Sequence, residues 1–141
     1  MMVRNWLTLL GILWLSIALH ASQAEILHGY QTGLQTAQKE NKILLLMISQ
    51  EGCPMCIYMK DNTLKDPEVS AFIRQNFVFA EASAADEDLP ERFESFVTPT
   101  FFFVDPKNGK AIGDPVRGGF RAPAFLRVLK IYLKEKDQQH D

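Results

Sequence analysis

Only two cysteines occur in the 141 residues, as Cys53-Pro54-Met55-Cys56, after an apolar run and before a helical pattern. Two thiols separated by two residues at a helix start can close into a small disulfide ring and open again. As a structural staple the pair is weak, because a ring closed over two residues removes little entropy from the unfolded chain. Reversible thiol chemistry is the better use of this spacing. Haem attachment would require histidine where Ile57 stands. Tetrahedral zinc needs more ligands than the chain offers near the pair, since His20, His28 and His140 lie towards the two ends. A soft ion such as copper(I), held by Cys53 and Cys56 with Met55 and Met59 close by, is an alternative of a different class.

A strand that feeds its chain into a helix at Cys53 would place that sulfur among unpaired backbone N–H groups. Those donors and the helix dipole favour a thiolate and lower the expected Cys53 pKa. Cys56, one turn inward, would be shielded from solvent and close enough to resolve a mixed disulfide. The roles follow: Cys53 attacks or is attacked, and Cys56 releases the partner. Pro54 stiffens the loop and withholds a donor, while Met55 offers an uncharged, soft contact surface. A second element is Val97-Thr98-Pro99-Thr100. Proline here permits two readings. In one the Thr98–Pro99 bond is cis and Thr98 exposes its backbone to an extended substrate segment. In the other Pro99 only begins a strand.

These residues need a scaffold. Ile26, Leu27, Tyr30, Leu34 and Ala37 recur at helical spacing, interrupted by Gly29 and Gly33, and Asn41-Lys42 ends the pattern. Ile43 to Ile48 is an unbroken apolar run, as in a strand covered on both faces. A helix follows Cys53, and Asp66-Pro67-Glu68 restarts it with a capping carboxylate and a first-turn proline. Phe77 to Ala82 reads as a strand. Asp86 to Phe96 reads as a helix with Leu89, Phe93 and Phe96 on one side. Pro99 to Asp105 is an aromatic strand, with Phe101, Phe102 and Phe103 alternating between covered faces. Pro106 to Gly109 is a turn, and a short strand around Val116 to Gly118 pairs back. A final helix buries Phe125, Leu126, Leu129, Tyr132 and Leu133. The expected class is α/β, a three-layer sandwich whose central mixed sheet is flanked by helices.

Composition narrows the setting. Arg4 precedes an uncharged, mostly apolar stretch, Trp6 to Leu19, which is short for a membrane span. Ser22 and Ala24 then stand three and one residues before Glu25, a small-x-small cleavage pattern. Residues 1–24 are therefore expected to be a secretory signal, leaving residues 25–141 as one domain of 117 residues. A short membrane anchor through residues 6–19 is the alternative, while no cysteine stands near the cleavage site to carry a lipid. Cleavage would remove both tryptophans, Trp6 and Trp14, and leave 14 basic against 17 acidic residues. That mild acidity does not suit nucleic-acid binding, which needs a concentrated basic face. Export places the cysteines in an oxidising compartment. Nothing in the sequence points to an obligate oligomer, so a monomer is expected.

The buried Ile43–Ile48 run, Cys53-Pro-Met-Cys56, Thr98-Pro99-Thr-Phe-Phe-Phe and the late Gly118-Gly119 together resemble the thioredoxin superfamily over about residues 26–135. Gly52-Cys-Pro-Met-Cys with Asp66-Pro-Glu-Val is most similar to exported thioredoxin-related proteins and to the C-terminal domain of transmembrane thiol:disulfide interchange reductases. The resemblance implies a redox-active Cys53–Cys56 pair, a cis Pro99 and no cofactor. Two positions depart from it: Gly52 stands where thioredoxins carry tryptophan, and Met47 stands where they bury an aspartate. The usual proton acceptor for Cys56 is thus missing, and Glu51 and Glu81 are the nearby acidic candidates. Glu81 also has the plainer reading of a solvated strand residue.

The motif holds no histidine to stabilise its thiolate strongly, and Glu51 disfavours the thiolate slightly. Both features point to a reductant or relay acting on client proteins and kept reduced by a membrane thiol:disulfide reductant. A mild oxidase or isomerase is the alternative on the same fold. A binding protein that kept the fold and lost the chemistry is a third class, and the two intact cysteines argue against it.

Overall fold

The computed structural model describes residues 23–138. The expected signal segment to Ser22, with His20, Trp6 and Trp14, lies outside the described residues, as does His140. Five strands form one sheet in the order β1-β3-β2-β4-β5. Their ranges are Leu27–His28 (β1), Ile43–Ser49 (β2), Phe77–Ser83 (β3), Thr100–Val104 (β4) and Val116–Arg117 (β5). Four α-helices accompany them: Tyr30–Glu40 (α1), Pro54–Tyr58 (α2), Pro67–Asn76 (α3) and Ala122–Gln138 (α4). β1 and β2 run parallel to β3, while β4 lies antiparallel to both β2 and β5. The mixed three-layer α/β sandwich read from the sequence is the fold observed.

β2 is the centre. Every one of its residues is buried, and alternate side chains enter two separate cores. Ile43, Leu45 and Met47 meet Cys56, Met59, Ile73, Phe79 and Phe125 on the side of α2, α3 and α4. Leu44, Leu46 and Ile48 meet Tyr30, Ala37, Ala80 and Phe93 on the side of α1. The three phenylalanines of β4 divide the same way. Phe101 packs on Phe125 (ring centroids 4.9 Å apart) and Phe103 stacks on Tyr132 (3.9 Å), whereas Phe102 meets Phe93 (5.1 Å) from the opposite face. Each fully buried side chain of this size contributes roughly 1.5–3 kcal/mol, so the doubly covered strand anchors the domain.

Local chemistry sets the element ends. Asp66 caps α3, accepting from the N–H groups of Glu68 (3.0 Å) and Val69 (3.2 Å). Asn41 closes α1 in the left-handed region, at φ 52°. Asp105 organises the turn after β4 by accepting from the N–H of Lys107 (2.8 Å) and the side-chain amide of Asn108 (3.2 Å).

Two expected helices are revised. The first begins only at Tyr30. Leu27 and His28 instead pair with Ala80 and Glu81 of β3, placing Ile26 and Leu27 in the two different cores. Gly29, at φ 87°, makes the break between strand and helix and donates its N–H to the Glu81 carbonyl at 2.8 Å. The expected helix over Asp86–Phe96 is a run of turns with one 3₁₀ segment, Glu91–Phe93. Asp86 accepts from the Ser83 N–H (2.8 Å) and Pro90 has no N–H to continue a ladder. Leu89 and Phe93 still reach the core, but Phe96 does not; it is fully exposed.

Gly33 sits inside α1 because the helix lies close against the sheet. A Cβ there would stand 2.6 Å from the Ala80 Cβ and 2.9 Å from Leu44 Cδ1. Alanine's better helix propensity offers about 1 kcal/mol, and overpacking against a strand residue that cannot rotate away costs about 1–3 kcal/mol. Gly33→Ala is therefore expected to lower the urea midpoint of unfolding, and Gly33→Val to lower it further. Two variants as stable as the wild type would show that α1 can move off the sheet.

Candidate active site

The register of β2 and β4 builds the site. Ile48 pairs with Thr100, so the residues after β2 and those before β4 emerge side by side at one edge of the sheet. The chain leaves β2 through Gln50 to Gly52 and reaches Cys53, the N-cap of α2. The Cys56 N–H donates to Cys53 Sγ at 3.2 Å. The two cysteines are joined in a disulfide, with Cα atoms 5.3 Å apart. Cys53 is partly exposed, but Cys56 is only 2% accessible and belongs to the core.

The Thr98–Pro99 peptide is cis. Thr98 presents its carbonyl oxygen to Cys53 Sγ at 3.5 Å, across 45 residues of sequence. The Pro99 carbonyl accepts the Gly118 N–H at 2.8 Å, which ties the loop before α4 to the same edge. Pro54 and Met55 lie exposed on the first turn of α2, and Glu51 is exposed in the preceding turn. The structure thus brings Cys53, Cys56, Pro54, Met55, Thr98 and Pro99 together.

Contacts that the sequence did not reveal hold α2 in place. After Tyr58 the helix widens into a π-helical turn, Met59–Thr63. Met59, which is buried, accepts the Phe120 N–H on Sδ at 3.2 Å, and the Thr63 hydroxyl donates to the Phe120 carbonyl. Met55, one turn before Met59, lies against Gly119, where any Cβ would strike its methyl group. The spacing of Met55, Met59 and Thr63 at four-residue intervals was the visible sign of a shared helix face. What that face touches was not visible. Met59 Sδ is thereby engaged with the backbone, which weakens its claim as a copper ligand.

Glu81 lies on the sheet face that carries Met47 and Cys56, paired in register with Met47. It forms an ion pair with Lys60 at 2.8 Å, and its side chain is only 11% accessible. Lys60 is four residues beyond Cys56, on the same face of the helix. Burial pushes the Glu81 carboxyl up. Hydrogen bonds from Lys60 and Ser49 and the charges of Lys60 and His28 outweigh it, so the pKa lies below the ordinary 4.5. The partner is the feature sequence reading missed, and the four-residue spacing of Cys56 and Lys60 was its only signal.

The thioredoxin-like domain model matches residues 30–132. The chain belongs to the thioredoxin-like family. A thioredoxin from Thermus thermophilus is 30% identical with a TM-score of 0.63, over 76% of this chain and 85% of that one. The C-terminal domain of Neisseria meningitidis DsbD in its oxidised form is 24% identical (TM-score 0.59), over 72% of this chain and 91% of that one. The periplasmic thioredoxin SoxS from Paracoccus pantotrophus is 20% identical (TM-score 0.53), over 67% and 99%. No curated protein sequence is similar enough to this one to match it. Family, fold and the bonded Cys53–Cys56 pair together make this thioredoxin-like domain a thiol:disulfide oxidoreductase.

The lowered Glu81 pKa has a consequence for stability. A carboxyl whose folded pKa lies below its unfolded value contributes in full above the unfolded value, and the contribution is lost as pH falls through the folded one. Wild type should therefore exceed Glu81→Gln most clearly in urea midpoint near neutral pH. The gap should narrow below the ordinary glutamate value of 4.5. A gap independent of pH would mean that the Lys60 pair does not carry the effect.

Proposed function

We propose that this thioredoxin-like domain is an exported oxidoreductase that reduces, or relays electrons to, the disulfides of client proteins. The observation that carries the reading is the asymmetry of the bonded pair: Cys53 reaches the surface beside the Thr98 carbonyl, and Cys56 is buried beneath it. In the reduced protein the Cys53 thiolate attacks one sulfur of a client disulfide, and the other client sulfur departs as a thiolate. Cys56, deprotonated, then attacks Cys53 Sγ; the Cys53–Cys56 bond forms and the second client thiolate leaves. Two electrons pass to the client, and a membrane dithiol partner returns them to Cys53 and Cys56.

Thr98 supports a place for the client chain. Among the described residues its N–H has no hydrogen-bond partner and its carbonyl meets only Cys53 Sγ, so an extended segment can pair with it. Pro54 and Met55 form the exposed surface beside it, and the buried Pro99 holds Thr98 in place through the cis bond. Either Glu51 or Glu81 is the acid that manages the Cys56 proton in the absence of a carboxylate at Met47. Glu81, held as a carboxylate by Lys60, would do so mainly by fixing the local charge.

Residues 1–24 are proposed to be the export signal and residues 25–141 the working domain, acting as a monomer in the periplasm or an equivalent compartment. A retained anchor through residues 6–19 would place the same domain at the membrane face. None of the described helices is long and apolar enough to cross a membrane.

Cys56→Ser is expected to accumulate a mixed disulfide through Cys53, visible as a thiol-sensitive adduct on non-reducing gels, and Cys53→Ser to form none. A Cys56→Ser protein that turns over clients as fast as wild type would overturn the assignment. For direction, equilibration with glutathione buffers should give a potential nearer the thioredoxin value of about −270 mV than the strong-oxidant value of about −120 mV. A value near the latter would make the protein an oxidase.

A further inference from the structure

Five large apolar side chains remain exposed among the described residues, and four of them lie on the two segments that meet at the disulfide: Met55 and Ile57 on either side of Cys56, and Phe96 and Val97 just before Thr98. Phe96 is the extreme, at 105% of its reference accessibility, although Phe93 three residues earlier is fully buried. Single exposed hydrophobics need no explanation, but a group of them around a reactive sulfur does.

The loop that carries Phe96 is braced. Ser95 Oγ and Thr100 Oγ1 both donate to the Val97 carbonyl, at 2.9 Å and 2.6 Å, and the Val97 N–H donates back to Ser95 Oγ at 3.3 Å. Pro99 is pinned to Gly118 on the other side. Phe96 is therefore presented to solvent on a fixed backbone, which lowers the entropy lost when it is covered.

Chain reach identifies what covers it. Thr98 touches Cys53 Sγ, and Phe96 is two residues further, so its Cα lies within about 7 Å of that of Thr98. A client cysteine bonded to Cys53 brings its own Cα to about 5.5–6 Å from that of Cys53. Residues one to three positions along an extended client strand are then within reach of Phe96. Charge points the same way: no residue in Gly52–Met59, Ser95–Val104 or Gly118–Phe120 is charged.

We infer that Phe96, supported by Val97, is a specificity-determining residue that selects client segments with a large apolar side chain within three residues of the reacting cysteine. The inference rests on the oxidoreductase reading above and names its substrate class. The chemistry is unchanged; Phe96 acts by burying apolar surface in the encounter and in the mixed disulfide.

The test uses the reduced protein and two synthetic peptide disulfides, one with leucine and phenylalanine flanking the cysteines and one with glycine and serine. Wild type should oxidise at least about tenfold faster with the apolar peptide, the factor expected from partly burying one aromatic ring. In Phe96→Ser that ratio should fall towards one, and Phe96→Leu should restore most of it. Ile131→Ser, which removes the exposed apolar side chain on α4, should keep the wild-type ratio. A ratio unaltered in Phe96→Ser, or an equal loss with both peptides, would overturn the inference. So would sedimentation showing a wild-type dimer that Phe96→Ser dissociates, since a second copy would then be the occupant. Exchange of wild type with dithiothreitol separates the two levels of failure. If that exchange is absent, the redox reading itself fails.

Discussion

The pairing of β2 with β4 is the interaction on which the rest depends. Two strands, far apart in sequence and antiparallel, place Ser49 and Thr100 at the same sheet edge. Everything reactive hangs from those two ends: Cys53 four residues beyond one, Pro99 and Thr98 immediately before the other. The pairing holds because β2 is apolar on both faces and finds a helical layer against each. A register slip of one residue would exchange the two faces and separate the sulfur from the Thr98 carbonyl.

Around that edge the structure divides the work between a rigid frame and a soft surface. The frame consists of short-range polar devices: Met59 and Thr63 gripping the Phe120 backbone, and Ser95 with Thr100 bracing Val97. None of these hydrogen bonds involves Cys53 or Cys56. They keep the helix and two loops at a fixed separation, so the exposed sulfur meets a partner without reorganisation. The surface consists of uncharged side chains, and its charged neighbours are kept to the margin or paired, as Glu81 is with Lys60.

The Lys60–Glu81 pair also shows how this domain differs from the pattern its sequence resembles. With methionine at position 47, the core under the disulfide carries no acid of its own. Charge enters from the neighbouring strand and returns to the helix as an ion pair beside the surface. The carboxyl is thus held ionised by its partner.

Much of this was legible from residue types. The CxxC spacing, the unbroken Ile43–Ile48 run, the Asp66-Pro67 restart and the alternating phenylalanines depend on local geometry and on period-two or helical patterning, which neighbours in sequence dictate. Ile26-Leu27 and the Asp86–Phe96 stretch were misread for a common reason. Their apolar spacing fits a helix, but pairing with β3 claims the first, and Pro90 with the Ser83–Asp86 turn breaks the second. Sequence alone determined which two sulfurs react and which strand leads into their helix, because both follow from spacing along one chain. Tertiary structure decided what surrounds them: the Thr98 carbonyl against Cys53 Sγ, the Lys60–Glu81 ion pair beside the same core and the exposed Phe96 two residues before Thr98. Thr98 is 45 residues from Cys53 and Glu81 is 21 from Lys60, and only the packing of β2 between two layers brings each pair together.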